Sequence, residues 1–281
     1  MAFSFGSVRK DDAPLIMGIL NVTPDSFSDG GKYLTAENAV EHGVSMADDG
    51  ADIIDIGGES TRPGAFEVSA DEEMARLLPV VKGLRKRLPN QVISVDTRNA
   101  PVVKAVLEEG VNIINDISGG SDGNTLDLVG SFGAGIILMH MKGVPRTMQM
   151  KPTYENVVRE VKGYLKKRID AARQLGIPQN SITIDPGIGF GKTKEHNILI
   201  LSELKKIIEI GYPVLIGISR KSLLQEIVGS EAINELIGAV CATTAFGVFV
   251  GAKIIRVHDV KPNRQAADVA WELKQKHMIW N

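Results

Sequence analysis

Residues 91–120 read QVISVDTRNAPVVKAVLEEGVNIINDISGG. Two short runs, QVISVDT and VNIINDISGG, are rich in Val and Ile and lack strict polar alternation. That is the pattern of strands buried on both faces of a parallel sheet. Between them 100–109 reads as a helix, stopped by Gly110. The same rhythm extends in both directions. LIMGILN, ending at Asn21, and ADIIDIGG, ending at Gly58, lie upstream; GIILMHM, SITIDPG, PVLIGISRK and AKIIRVHD lie downstream, giving eight runs. Helical segments at 35–49, 71–87, 126–131, 154–175, 199–210, 233–250 and 263–276 complete the alternation. With no linker or composition break, the pattern predicts one α/β domain over 1–281, a closed (β/α)8 TIM barrel. An open doubly wound sheet is the alternative, but no Gly-x-Gly-x-x-Gly follows the first run and no Walker-type loop occurs.

The 281 residues are 43% hydrophobic and 23% charged, as in ordinary soluble globular chains. A net charge of -2 argues against a general nucleic-acid or anionic-membrane footprint, while leaving room for a local anion site. No apolar run is long enough to span a bilayer, and the first residues lack a secretory apolar segment. Cys241 is the only cysteine, so no internal disulfide can form. A cytoplasmic protein is expected.

In a barrel the C-terminal ends of the strands share one rim, where active sites are built. Asn21 ends the first run, and GGESTRPGA follows the second. Asp96, Thr97 and Arg98 follow the third, Asn115 and Asp116 the fourth, and His140 and Met141 the fifth. Asp185 precedes PGIGFGK, Ser219, Arg220 and Lys221 end the seventh run, and Arg256, His258 and Asp259 the eighth. Each residue alone has a structural use as a cap or turn former. Together, at one rim, they point to a converging polar site.

The chemistry divides in two. Asp96, Asn115 and Asp185 suit a donor-bearing, nitrogen-rich heterocycle, because ionised carboxylates only accept hydrogen bonds; a pterin or guanine-like edge fits. Arg256, His258, Asn21 and Arg62 supply donors suited to phosphate or pyrophosphate, and Lys221 lies between the two roles. The same acids and bases could instead form an internal salt-bridge network, although the Gly- and Pro-rich loops around them favour a site. The polar loops VTPDSFSDGGK and GESTRPGA are expected to close over substrate. Phe27 and Phe190 are aromatic residues in polar loops, placed either to meet a ligand or to fold onto local apolar surface. No Cys and His spacing suits zinc, and no Ser, His and acid set follows a nucleophile elbow. Binding with electrostatic control of a leaving group is the expected chemistry.

MGILNVTPDSFSDGG, GADIIDIGGESTRPGA, ISVDTR, IINDISG, LMHM, IDPGIGFGK, GISRKS and RVHDV resemble, in order and over nearly the whole chain, the motifs of bacterial dihydropteroate synthases. NVTPDSFSDGG followed by GGESTRPG is highly specific. The resemblance implies a transferase of folate biosynthesis, the sulfonamide target. Such an enzyme condenses hydroxymethyldihydropterin pyrophosphate with p-aminobenzoate to give dihydropteroate and pyrophosphate, on a barrel that forms a homodimer through late helices. Asp96, Asn115, Asp185 and Lys221 match the family's pterin positions. Asn21, Arg62, Arg256 and His258 match its pyrophosphate site, where a magnesium ion (Mg2+) sits near Asn21. Phe27, Thr61, Pro63, Gly189, Phe190, Lys221 and Ser222 match the p-aminobenzoate pocket. Asp96, Lys221, Arg256 and His258 form the implied catalytic set.

The departures are modest. Arg98 stands where small or Lys-containing variants are frequent, and NELIGAVCA lacks the Arg and Thr often found there. A non-catalytic pterin-binding paralogue would have lost loop or anion residues that this chain keeps. A methyltetrahydrofolate methyltransferase domain would share the pterin acids but not need the first two loops.

Overall fold

The structure is a computed structural model that describes residues 2–9, 11–23, 36–59, 67–230 and 232–277. The apolar runs form strands β1 (Leu15–Asn21), β2 (Ile53–Gly57), β3 (Val92–Asp96), β4 (Ile113–Asp116), β5 (Gly135–Met139), β6 (Ile182–Asp185), β7 (Leu215–Gly217) and β8 (Ile254–Val257). All paired strands are parallel, in the order β6-β5-β4-β3-β2-β1-β8-β7. The ring closes where Ile184 of β6 bridges Val214, just before β7, and the Ile184 N–H donates to the Pro213 carbonyl at 2.9 Å. This closure makes the sheet a barrel and excludes the open alternative.

Successive side chains of a strand point to opposite sides, and here that parity sorts apolar from polar. Leu15, Met17, Ile53, Ile113, Ile137, Leu215 and Ile254 point inward and pack with Phe5, which plugs the end opposite the rim. Two residues further along, on the same side, come Asp55, Asn115 and Arg256. The outward set, including Ile54, Ile56, Val95, Ile114 and Ile184, packs beneath the helices in the larger core. Full burial of such a side chain contributes about 1.5–3 kcal/mol, so the floor and outer layer can carry a polar upper layer.

Register places the rim residues. Asn21 lies opposite Gly57, Gly57 opposite Asp96, and Asp96 opposite Asn115. Met139 lies opposite Asp185. Arg256 starts nearer the floor, opposite Met17 and Gly217, so it takes a side chain of its length to reach the acids above.

The helices are α1 (Ala36–Asp48), α2 (Ala70–Arg87), α3 (Ala100–Glu108), α4 (Thr125–Phe132), α5 (Val157–Gln174), α6 (Lys194–Ser202), α7 (Leu204–Ile208), α8 (Ser222–Val228), α9 (Ile237–Val250) and α10 (Val260–His277). Most match the expected segments, and three differ for local reasons. The segment expected at 199–210 begins at Lys194 and is broken into α6 and α7. Thr193 and His196 form a reciprocal capping box, each ring or hydroxyl accepting the other's N–H at 3.2 Å. The seven residues of α8 were not anticipated, being too short to show a period. A 3-10 turn over Ile233–Leu236 replaces the start expected for α9. Among the described residues, no helix is long and apolar enough to cross a membrane.

Candidate active site

The strand ends deliver a connected set of acids and bases to the barrel mouth. Asp55, in the middle of β2, is fully buried; its Oδ2 accepts from Arg256 Nε at 2.6 Å and from Asn115 Nδ2 at 3.0 Å. Arg256 Nη2 donates to Asp96 Oδ2 at 2.8 Å. One guanidinium thus links β2, β3 and β8, and Asn115 joins β4 to the same carboxylate. Burial works against the Arg256 charge, but Asp55 and Asp96 outweigh it and raise the pKa. Burial also drives the Asp96 carboxyl well above the usual range, with Arg256 pulling the other way. The second oxygen of Asp55 meets no partner among the described residues.

Across the mouth, Asp185 ends β6 and its Oδ1 accepts the Gly187 N–H at 2.6 Å. Burial raises its pKa, opposed by Lys221. Lys221 leads into α8, donates to the Ile188 carbonyl and lies 4.7 Å from the centre of the Phe190 ring. Burial lowers the Lys221 ammonium to about 8, and Asp185 resists that fall. Gly189 takes a left-handed φ of 82°, and a Cβ there would crowd the Lys221 stem at 3.1 Å. These contacts set Gly189, Phe190 and Lys221 side by side. Ser222 follows as the first residue of α8 and is exposed.

His258 turns its Nδ1 to Ser219 Oγ at 3.0 Å, and Ser219 Oγ also accepts the His258 N–H at 3.2 Å. Beside them Arg220, strained at a φ of 58°, pairs with Asp259 at 3.1 Å. Asn21 stands half-buried at the end of β1. A Cβ on Gly57 would come within 3.6 Å of Asn21 Oδ1 and 3.9 Å of Asp96 Cβ, so the glycine keeps the space between them clear. Asp116, the other acid of β4, faces its own loop. Its oxygens accept from the N–H groups of Ser118 at 2.7 Å and Gly120 at 2.9 Å, and burial pushes its carboxyl up to about 6.

The structure therefore brings Asp96, Asn115, Asp185, Lys221, Gly189, Phe190, Arg256, His258 and Asn21 to one end of the barrel. It groups Arg256 with the acids through two ion pairs, while His258 pairs with Ser219. The two sequence readings, site and salt-bridge network, overlap in Arg256. Phe27, Thr61, Arg62 and Pro63 lie outside the described residues. Asp55 does not stand out among the strand-end residues of the sequence; an acid inside the apolar run IIDIG, with the parity of Ile53, is the signal that marks it.

Residues 17–258 match the family described as pterin binding enzyme. The dihydropteroate synthase of Escherichia coli K12 is 44% identical over 268 residues, 95% of this chain and 94% of the relative. That of Streptococcus pyogenes serotype M3 is 44% identical over 260 residues, 92% of this chain and 95% of the relative. Among solved structures, the Yersinia pestis dihydropteroate synthase with a sulfonamide drug complex superposes with a TM-score of 0.89 at 38% identity, covering 94% of this chain and 95% of that one. The Xanthomonas albilineans dihydropteroate synthase in complex with 7,8-dihydropteroate gives a TM-score of 0.84 at 38% identity, covering 94% of each chain.

Proposed function

The chain belongs to the family of pterin binding enzymes, and we infer that it carries out the dihydropteroate synthase reaction of folate biosynthesis. It joins a dihydropterin pyrophosphate to p-aminobenzoate and releases pyrophosphate. The observation that carries the reading is the acid and amide set of Asp96, Asn115 and Asp185, placed with Arg256 and Lys221 in one barrel mouth. Relatives so named, 44% identical over nearly the whole chain, support it.

In this reading Asp185 and Asp96 accept from the N–H groups of the pterin edge, and Asn115 and Lys221 complete its polar frame. Charged acceptors of this kind make hydrogen bonds about twice as strong as neutral ones. Asp55 holds Arg256 by Nε, and Asp96 takes Nη2. Nη1 is the part of the fork that these acids do not engage, and with His258 it is the group we assign to the incoming pyrophosphate; the family's motif adds Arg62 to that assignment. Preorganised cations at the leaving group stabilise the charge that grows as the carbon–oxygen bond breaks. Positive charge left on the pterin methylene is stabilised by the nearby Asp96 carboxylate. The amine of p-aminobenzoate, held beside Phe190, Lys221 and Ser222, then forms the carbon–nitrogen bond and gives up a proton. Sulfonamides compete for the same place.

Magnesium fits the donor set. The described residues hold no group of three or more His, Cys, Asp or Glu side chains suited to a metal. Mg2+ commonly uses few protein oxygens and takes the rest from substrate phosphates and water. The Asn21 amide oxygen beside Gly57 can serve as such a ligand. The ion supplies charge neutralisation of the pyrophosphate.

The reading extends to a cytoplasmic homodimer. Phe246, Phe249, Val269 and Leu273, on neighbouring α9 and α10, form an exposed apolar face that supports a contact between two copies. The function is tested by mixing the protein with the dihydropterin pyrophosphate, Mg2+ and p-aminobenzoate and looking for dihydropteroate by mass spectrometry. Its absence under these conditions overturns the reading.

A further inference from the structure

Lys192 closes the run IDPGIGFGK and has no part in the chemistry above. Its side chain is nonetheless almost completely buried, at 2% exposure. The ammonium reaches the Gly187 carbonyl at 2.8 Å, the Phe190 carbonyl at 2.9 Å, the His140 carbonyl at 3.3 Å and His140 Nδ1 at 2.9 Å. All four acceptors are neutral. Burial works against the charge and lowers the Lys192 pKa to about 7, while the Asp185 carboxylate resists that fall; a buried ammonium is expensive to keep, so its partners must be arranged closely around it.

The loop around it shows why a donor is needed there. Gly187 and Gly191 adopt left-handed φ values of 66° and 61°. A Cβ on Gly187 would collide with the His140 carbonyl, and one on Gly191 with that of Lys142. The loop after β6 therefore lies backbone to backbone on the end of β5. Such an approach turns carbonyls inward, where water does not reach, and each needs a proton donor. Lys192 supplies three protons from within the loop itself. Other residues hold the rest of the loop: Asn197 Oδ1 accepts the Gly189 N–H at 2.8 Å, Gln149 Nε2 donates to the Gly189 carbonyl at 2.7 Å, and the Tyr154 hydroxyl donates to the Gly191 carbonyl at 2.8 Å. His140 in turn packs edge-on against Tyr164 at 5.0 Å between ring centres, and the Tyr164 hydroxyl donates to Ser118 of the fourth loop.

We propose that Lys192 is a positioning residue for the second substrate: its ammonium ties the loop after β6 to the end of β5 and so fixes Gly189 and Phe190 against Lys221. The proposal rests on the reading that this wall receives p-aminobenzoate. Of the groups assigned to the pterin, Asp96, Asn115 and Asp185 are set by strands β3, β4 and β6, and the loop touches this set only through the Gly187 N–H on Asp185 and through Lys221, so the pterin side depends on the loop to a smaller degree.

The test is Lys192→Met, which keeps the methylene stem and removes the donor. Leaving buried carbonyls unsatisfied should raise the KM for p-aminobenzoate about tenfold or more. Calorimetric affinity for the pterin substrate, measured without p-aminobenzoate, should stay within about threefold, a change of under roughly 0.7 kcal/mol. A fall in pterin affinity as large as the rise in KM, or no change in either, overturns the proposal. Lys192→Gln keeps a neutral donor at the same place and serves as the second variant where Lys192→Met does not accumulate as folded protein. It should show the same selectivity to a smaller degree, and parallel losses or none overturn the proposal equally. A wild-type protein that makes no dihydropteroate defeats the functional reading itself; an active wild type with unselective variants defeats only this inference.

Discussion

At Asp185 one carboxylate meets two demands: Oδ1 takes the N–H of Gly187 and so starts the next loop, while the group as a whole faces the substrate mouth. Asp185→Asn replaces a charged acceptor by an amide that brings a mismatched donor. Calorimetry should find pterin affinity weakened by about 1.5–3 kcal/mol, and an unchanged affinity would remove Asp185 from the pterin site. Residues of this sort were legible in the sequence because they end apolar runs, and the ends of barrel strands converge. Asp55 was not, since its role depends on which way a mid-strand side chain faces and on an arginine two hundred residues later in the chain reaching it. Lys192 was opaque for a related reason: three of its four acceptors are backbone carbonyls, which no residue type announces, and His140, legible at the end of the fifth run, gave no sign that its ring would meet that lysine. His140 carries a pH signature. Burial, with Lys192 alongside, pushes its pKa from 6.5 down to about 3. As pH falls between these values the unfolded chain takes up the proton and the folded one does not, so stability is lost on acidification through that window. His140→Gln keeps an acceptor for Lys192 and does not titrate. Urea denaturation between pH 7 and pH 4 should show a shallower loss of stability in the variant than in the wild type; identical slopes would contradict the neutral buried imidazole.

Among the elements, α9 and α10 differ from their neighbours. A helix of a barrel buries one stripe against the strands and shows a polar face to water. Here Phe246 and Phe249 of α9 and Val269 and Leu273 of α10 are 43%, 45%, 61% and 59% exposed. They form one apolar surface across two packed helices, as a contact between copies requires. Val269→Glu together with Leu273→Glu should convert a dimer to monomer in analytical ultracentrifugation while leaving pterin affinity intact. Wild-type protein that sediments as a monomer would contradict the assignment. The sequence showed these helices by period, but it could not show that part of their apolar surface stays outside. Helix starts were less legible still: the beginning of α6 depends on the reciprocal bonds of Thr193 and His196, and a helix of seven residues such as α8 has too few turns to reveal a stripe.

For the molecule as a whole, the alternation of apolar runs and helices was enough to predict eight strands and their parallel sense. Closure was not contained in any one run. It depends on a single bridge from Ile184 to Val214 and on a register that brings Asn21, Asp96 and Asn115 to one level. The same register sets Arg256 lower, so its side chain rises between Asp55 and Asp96 and joins the acids to the anion side of the mouth. Floor and outer layer stabilise the barrel, and the upper layer is left free for chemistry, where buried acids carry raised pKa values. In this mouth, departure of pyrophosphate is coupled to capture by p-aminobenzoate. The most direct measurement follows pyrophosphate and dihydropteroate together, with the dihydropterin pyrophosphate and Mg2+ present and p-aminobenzoate added or withheld. Equal amounts of the two products are expected when p-aminobenzoate is present, and little pyrophosphate without it. Rapid pyrophosphate release that does not depend on p-aminobenzoate, or release without dihydropteroate, would contradict this coupling.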